Sequence, residues 1–156
     1  MAIEIQRAVP RHAKDIYTLI RSCADMGLML PRALSDIYES MRDFVIAVDT
    51  GHDNIVIGCC ALHVMWDDLA EVRSLAVRES QRKHGVGRGL VEYCLDDARA
   101  FGIRRVFALT YVPRFFHKLG FHDLEKEALP LKVWSDCVRC HKYPDCDELA
   151  VAIDLH

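Results

Sequence analysis

The segment Arg82-Lys83-His84-Gly85-Val86-Gly87-Arg88-Gly89 lies between an apolar, β-rich stretch and an amphipathic one. A strand-to-helix junction of this composition suits an anion. Free backbone N–H groups and the dipole at a helix N-terminus attract a group such as pyrophosphate, and glycines let the chain approach it. The segment is not a P-loop, which needs G-x-x-x-x-G-K-[ST]. Nor is it G-x-G-x-x-G, because Leu90 stands at the last glycine position. Taken alone it is equally compatible with a purely structural turn. Just upstream, Leu69 to Val77 alternates, with Glu71, Arg73 and Leu75 toward one side and Val72, Ser74 and Ala76 toward the other. A carboxylate and a guanidinium therefore share a face that looks toward a site or solvent.

The chain has seven cysteines, an odd count without a secretion signal, which points to reduced thiols. Cys23, Cys59, Cys60 and Cys94 stand among apolar residues and read as small core hydrophobes. Cys137, Cys140 and Cys146 crowd together with His141, and their C-x-x-C spacing is chemically compatible with a tetrahedral zinc site. A second C-x-x-C is missing, and adjacent Cys140 and His141 are awkward co-ligands, so no metal is expected. Unliganded or redox-active thiols are the alternative. His63, on an apolar strand, reads as a satisfied core residue, and His84 as a donor through its backbone N–H.

The elements that position these groups follow from periodicity. Ile3, Ile5 and Ala8 predict a short first strand, and Pro10 opens a helix over Arg11 to Arg21 with Ala13, Ile16, Tyr17 and Ile20 on one face. Met26 to Arg32 is a loop. A second short helix starts at Ser35 with Ile37 and Met41 on one face. Phe44 to Val48 and Ile55 to Trp66 form a hairpin around Asp49 to Asn54, and Asp67-Asp68 turns the chain into the alternating strand. Val86, Leu90, Cys94, Ala98 and Phe101 mark the best-formed helix, ended by Gly102. Val106 to Leu109 is a strand, Pro113 to Gly120 a short helix and Leu149 to Leu155 a final strand. Strands interleaved with helices, together with adjacent hairpins, imply a mixed α/β sheet.

With 156 residues, 51% hydrophobic and 28% charged, one domain over residues 1–156 with one core is expected. Twenty Lys and Arg against 23 Asp and Glu argue against a nucleic-acid or anionic-membrane partner. No apolar run approaches the ~20 residues needed to span a bilayer, and residues 1–7 lack a signal-peptide pattern. A cytoplasmic location is expected.

The strand ending Leu75-Ala76-Val77, the R-x-x-G-x-G at Arg82 to Gly87 and the later Phe115-Phe116-His117-Lys118-Leu119-Gly120-Phe121 occur in an order that resembles the GNAT acetyltransferases. A narrower resemblance, to short amino-acid N-acetyltransferases of the N-acetylglutamate synthase type, is carried by residues 58–63, 68–77, 106–110 and 129–137. It implies a mostly antiparallel central sheet, flanked by helices and splayed open to hold acetyl-CoA. It also implies acetyl transfer to the α-amine of glutamate, or alternatively glutamine, as the first step of arginine synthesis. The longer synthases carry a second, kinase-like domain, for which 156 residues leave no room.

The resemblance further implies roles. Leu75, Ala76 and Val77 would bind the pantetheine arm, and Arg82, Lys83, His84, Gly85, Val86, Gly87 and Arg88 the pyrophosphate. Phe116 belongs to the segment that closes the site. Glu71 would take the amine proton, the alternative being a solvated carboxylate or one paired with Arg73. A backbone N–H near Val72 to Leu75 would stabilise the oxyanion. The family's usual tyrosine acid is replaced by Phe116, leaving Tyr111 as a stand-in, or a thiolate that departs unassisted. Arg73, Arg32 and Lys132 are candidates for binding an acidic acceptor, since guanidinium groups suit carboxylates. Rival expectations are acetylation of another small amine or a protein N-terminus, or a non-catalytic acyl-CoA-binding module. The apolar final strand admits a homodimer without specifying an interface.

Overall fold

The computed structural model describes residues 2–82, 84–130 and 148–156. Strand β1 (Ile3–Arg7) leads through a 3-10 turn at Pro10–His12 into helix α1 (Ala13–Asp25), followed by α2 (Leu34–Glu39). The central strands are β2 (Phe44–Asp49), β3 (Ile55–Trp66) and β4 (Leu69–Val77). Then come α3 (Val86–Ala100), β5 (Arg105–Thr110), α4 (Pro113–His117), β6 (His122–Leu124) and β7 (Leu149–Asp154). The seven strands form one sheet in the order β1-β2-β3-β4-β5-β7-β6. β4 and β5 are parallel, and every other pairing among the described residues is antiparallel. The parallel pair needs a crossover, which α3 supplies.

Each helix sits where its apolar stripe puts it. Ala13, Ile16, Leu19, Ile20 and Cys23 of α1 are buried at three- and four-residue spacing against one face of the sheet, with Phe44, Ile46 and Val48 of β2. Val86, Leu90, Val91, Cys94, Leu95 and Ala98 of α3 pack on the other face, against Val45, Ala47, Cys60 and Leu62. β2 lies between the two layers, and all six of its residues are buried. That explains a continuous apolar run where a one-sided strand would alternate. Both long helices end at a glycine with positive φ, Gly27 at +73° and Gly102 at +83°. In each case the next residue's N–H reaches back, from Leu28 to the Cys23 carbonyl and from Ile103 to the Ala98 carbonyl.

The four described cysteines are buried. Burial, followed by the neighbouring Cys23, pushes the Cys59 thiol up, and Cys60 is raised first by its hydrogen bond with Cys94 and then by burial. They behave as the small core hydrophobes expected.

Several boundaries differ from the expected ones. The first helix begins at Ala13, after the 3-10 turn that Pro10 nucleates, and runs to Asp25. The second ends at Glu39, so Met41 lies in a separate 3-10 turn, Met41–Asp43, although it and Ile37 are both buried. β6 has no counterpart in the sequence pattern. It is three residues long, with His122 and Asp123 exposed, too short and polar for a periodic signal.

The main departure lies in β4. Ala61 pairs with Arg73 and Cys59 with Ala76, so Ser74 and Leu75 together oppose the single residue Cys60. This is a β-bulge, and Ser74 adopts φ +57°, a conformation few non-glycine residues take up. The bulge inverts the alternation. Ala70 and Val72 face the α3 layer, as do Leu75 and Val77 beyond the bulge, whereas Ala76 belongs to the α1 layer. Leu75 therefore points away from Glu71 and Arg73, not with them as strict alternation predicts.

Close approach of α3 to the sheet depends on Gly58. A Cβ there would lie 2.9 Å from Leu90 Cδ1 and 3.0 Å from Val86 Cγ1. Gly58→Ala is expected to destabilise the protein by about 1–3 kcal/mol through overpacking. Urea unfolding should show a lowered midpoint with an unchanged slope, and an unmoved midpoint would contradict the contact.

Candidate functional site

The site begins where the sheet opens. β4 and β5 are paired only over Leu69–Arg105, Ala70–Val106 and Glu71–Phe107. Beyond Glu71, among the described residues, no strand lies on the β5 side of β4, so backbone polar groups on that edge face the opening. Tyr111 follows β5 four residues after Phe107, across the opening from the bulge, and is partly buried. Thr110 shapes that end of β5, its Oγ1 accepting from the Val112 N–H at 2.9 Å.

Below the opening, Gly85 initiates α3 with φ +79°, a value that favours glycine. The first intrahelical bond runs from the Gly89 N–H to the Gly85 carbonyl at 3.0 Å, so the N–H groups of Val86, Gly87 and Arg88 precede the helical ladder. Gly87 lies under α4: a Cβ there would meet the Phe115 ring at 3.3 Å. The loop has the backbone geometry of an anion seat.

Its side chains are engaged elsewhere. Arg82 turns inward, donating from Nε to the Val77 carbonyl at 3.2 Å and from Nη2 to Cys23 Sγ at 3.4 Å, which ties the end of β4 to α1. Arg88 pairs with Glu92 at 2.6 Å on the surface, and His84 is exposed. Lys83 lies outside the described residues. Phe116 is buried in the α3 layer, edge-on to Phe115 and Phe121 at 5.0 and 5.1 Å. Its ring packs in the core, and Phe115 is the one that meets the glycine loop.

On the α1 side of the sheet the charged groups gather. Glu71 is buried to 9% exposure, with Arg73 Nη1 at 3.5 Å from its Oε1. Arg32 comes over from the α1–α2 segment and donates to Ser74 Oγ at 3.1 Å. Its pKa is lowered, first by desolvation and second by the neighbouring Arg73 cation, against the pull of Asp36, Glu71 and Asp43. Two guanidiniums are thus held close in a desolvated place, which favours an incoming anion. Arg32, Arg73 and Glu71 come together as the sequence suggested, while Lys132 lies outside the described residues, as do Cys137, Cys140, His141 and Cys146.

His63 differs from its expected role as an enclosed core residue. Its side chain is one-third exposed, and its Nδ1 lies 2.7 Å from Asp43 Oδ2. It stands directly across from Glu71 in the β3–β4 register. The two-residue turn at Asp67-Asp68 alone would set His63 opposite Val72; the irregularity between Val64 and Trp66 shifts it to Glu71, and the nineteen residues between Asp43 and His63 carry no signal of their contact.

A carboxylate beside two guanidiniums, an unpaired strand edge and a glycine turn with the geometry of an anion seat thus follow one another along β4 and into the start of α3. Residues 13–121 match the acetyltransferase (GNAT) family. The chain is 42% identical over 143 residues to an uncharacterized N-acetyltransferase of Chlorobaculum tepidum, covering 92% of this chain and 90% of that protein. It is 34% identical over 114 residues to the amino-acid acetyltransferase of Mycobacterium tuberculosis, covering 73% of this chain and 66% of the relative. Against the amino-acid acetyltransferase of Vibrio cholerae the identity is 30%, over 83% of this chain but 29% of the relative's length. Among solved structures, Rv2747 from Mycobacterium tuberculosis, in complex with CoA and NLQ, superimposes with a TM-score of 0.84 at 28% identity, over 98% of this chain and 99% of that one. The N-acetylglutamate synthase of Neisseria gonorrhoeae, complexed with coenzyme A and N-acetyl-glutamate, gives a TM-score of 0.88 at 26% identity, over all of this chain and 36% of that one. The chain belongs to the GNAT family of acetyltransferases.

Proposed function

We propose that this protein transfers the acetyl group of acetyl-CoA to the α-amine of glutamate or glutamine, the entry reaction of arginine synthesis. The observation that carries the acceptor is the pairing of Arg32 and Arg73 beside Glu71 at the cleft. Arg32 is stripped of water there and feels the Arg73 cation, an environment that favours a further carboxylate, and an amino acid brings one to that place. Relatives named amino-acid acetyltransferase, and an N-acetylglutamate synthase with the same fold, support the choice.

In this reading the pyrophosphate of acetyl-CoA sits on the backbone of residues 82–88 at the start of α3, and the pantetheine arm pairs with the free edge of β4 at Leu75, Ala76 and Val77. The family's CoA complexes support that seat. The acceptor enters as an ammonium ion. Glu71 takes its proton, directly or through a water, and the amine lone pair attacks the thioester carbonyl. Backbone N–H groups around the bulge receive the developing oxyanion. Collapse breaks the C–S bond, and the second proton of the nitrogen goes to the departing thiolate, either without a dedicated acid or by way of Tyr111 across the opening, which gives its own proton to the sulfur and regains one from the nitrogen. Lys132 completes the acceptor pocket in this reading.

Release of CoA from acetyl-CoA with each of the twenty amino acids, followed with a thiol reagent corrected for the protein's seven cysteines, tests the proposal. Selective turnover with glutamate or glutamine is expected; turnover only with other amines or peptides would refute it. Glu71→Gln is expected to lower kcat by about 10²-fold or more with acetyl-CoA binding retained, and a parent rate independent of pH between about 6 and 9 would remove Glu71 as base. Arg73→Ala and Arg32→Ala are each expected to raise KM for the amino acid by roughly 10- to 100-fold, the worth of a lost charge-assisted hydrogen bond, while KM for acetyl-CoA stays within about twofold.

A further inference from the structure

We propose that His63 and Asp43 form the proton exit of the site, carrying to solvent the proton that Glu71 takes from the acceptor; the inference rests on Glu71 acting as base in amine acetylation. The need follows from stoichiometry. An ammonium acceptor loses two protons on becoming an amide, the departing thiolate takes one, and one net proton must leave per turnover. Glu71 is poorly placed to release it, being 9% exposed and covered by Arg73 at 3.5 Å. His63 lies directly opposite on β3, on the same face, where paired Cβ atoms stand about 4.5–5.5 Å apart. Its side chain is one-third exposed, so it reaches both the carboxylate's surroundings and bulk water.

Asp43 fixes which nitrogen does this. An ionised carboxylate only accepts, so at 2.7 Å Asp43 Oδ2 takes the hydrogen of Nδ1 and leaves Nε2 as the ring's proton acceptor. The transfer is balanced throughout. The carboxyl proton of Glu71 passes to Nε2, directly or over one bridging water, restoring the Glu71 carboxylate and forming an imidazolium whose charge Asp43 offsets. Nε2 then gives the proton to solvent. The other charges gathered here are Arg73 on β4, Arg32 before α2 and Asp36 within it; Arg32 feels Arg73, Asp36, Glu71 and Asp43 together, which places all of them in one electrostatic neighbourhood. His63 acts on the reaction through Glu71, and is a positioning and relay residue.

The test uses the full chain, acetyl-CoA and the amino acid that turns over fastest. His63→Gln is expected to lower kcat about tenfold or more with both KM values within about twofold, and added imidazole is expected to restore a large part of the rate of His63→Ala. Asp43→Asn should lower kcat in the same sense. A kcat within twofold of the parent, a loss confined to KM, or no recovery with imidazole in a variant that still binds acetyl-CoA would each overturn the relay. Should the variants fail to fold, ring ¹⁵N spectra of the parent decide: a neutral His63 with its hydrogen on Nδ1 is required, and one with its hydrogen on Nε2 overturns the proposal. A parent that turns over no amino acid would instead refute the acceptor assignment, and the ring spectrum still judges the relay separately.

Discussion

The cleft depends on how β4 is held. β3 grips it along nearly its whole length, while β5 grips it for only three residues, and the bulge at Ser74 and Leu75 falls just past the point where β5 lets go. A strand pinned on both sides would have spent its backbone groups on neighbours. Pinned on one side, it keeps an edge available for ligand. The cost is a serine held at φ +57°, of order 1–3 kcal/mol, offset by β3 on one flank and by the Arg32 hydrogen bond to the Ser74 hydroxyl. That bond also links the backbone kink to one of the two guanidiniums beside Glu71, so the strand's shape and the local electrostatics share one contact.

The same bulge apportions the two faces. Before it, odd-numbered residues of β4 look toward α1 and α2, which places Glu71 and Arg73 among the polar groups of the α1–α2 segment. After it, odd-numbered Leu75 and Val77 look toward α3 and become packing residues. Without the inversion Leu75 would project into the charged pocket, and a small residue, Ala76, would face the Val86 and Leu90 layer in place of Leu75 and Val77. Arg82 completes the design from below: half-buried against Cys23 and bonded to the Val77 carbonyl, it anchors the end of the strand to the opposite layer. The Arg82 side chain is thus engaged within the fold, and the backbone N–H groups of Val86, Gly87 and Arg88 stand ahead of the helical ladder.

Much of this was legible in the residues. Helical spacing marked α1 and α3, continuous apolar runs marked β2 and β3, and the glycines at 85, 87 and 102 marked where α3 starts and stops. Glu71 and Arg73 were legible as a pair because two-residue spacing holds up to the bulge. What failed to show were features set by contacts distant in the chain. The bulge arises from the β3–β4 register, β6 exists only because β7 lies beside it, and the inward turn of Arg82 depends on a cysteine 59 residues away. His63 was misread for the same reason: an apolar strand suggests a core histidine, and nothing nearby announces Asp43.

The buried thiols have a consequence for how this protein opens. Cys23 lies on the buried face of α1, Cys94 on that of α3, and Cys59 and Cys60 in the strand between them; all four are shielded from water, and the Cys59 and Cys60 thiols are raised so that their reactive thiolates are scarce. A thiol reagent reaches them only when a layer lifts from the sheet. Their labelling rates in the native protein therefore clock the separation of each helix from β3, one face at a time, and they distinguish partial opening of the α1 layer from global unfolding.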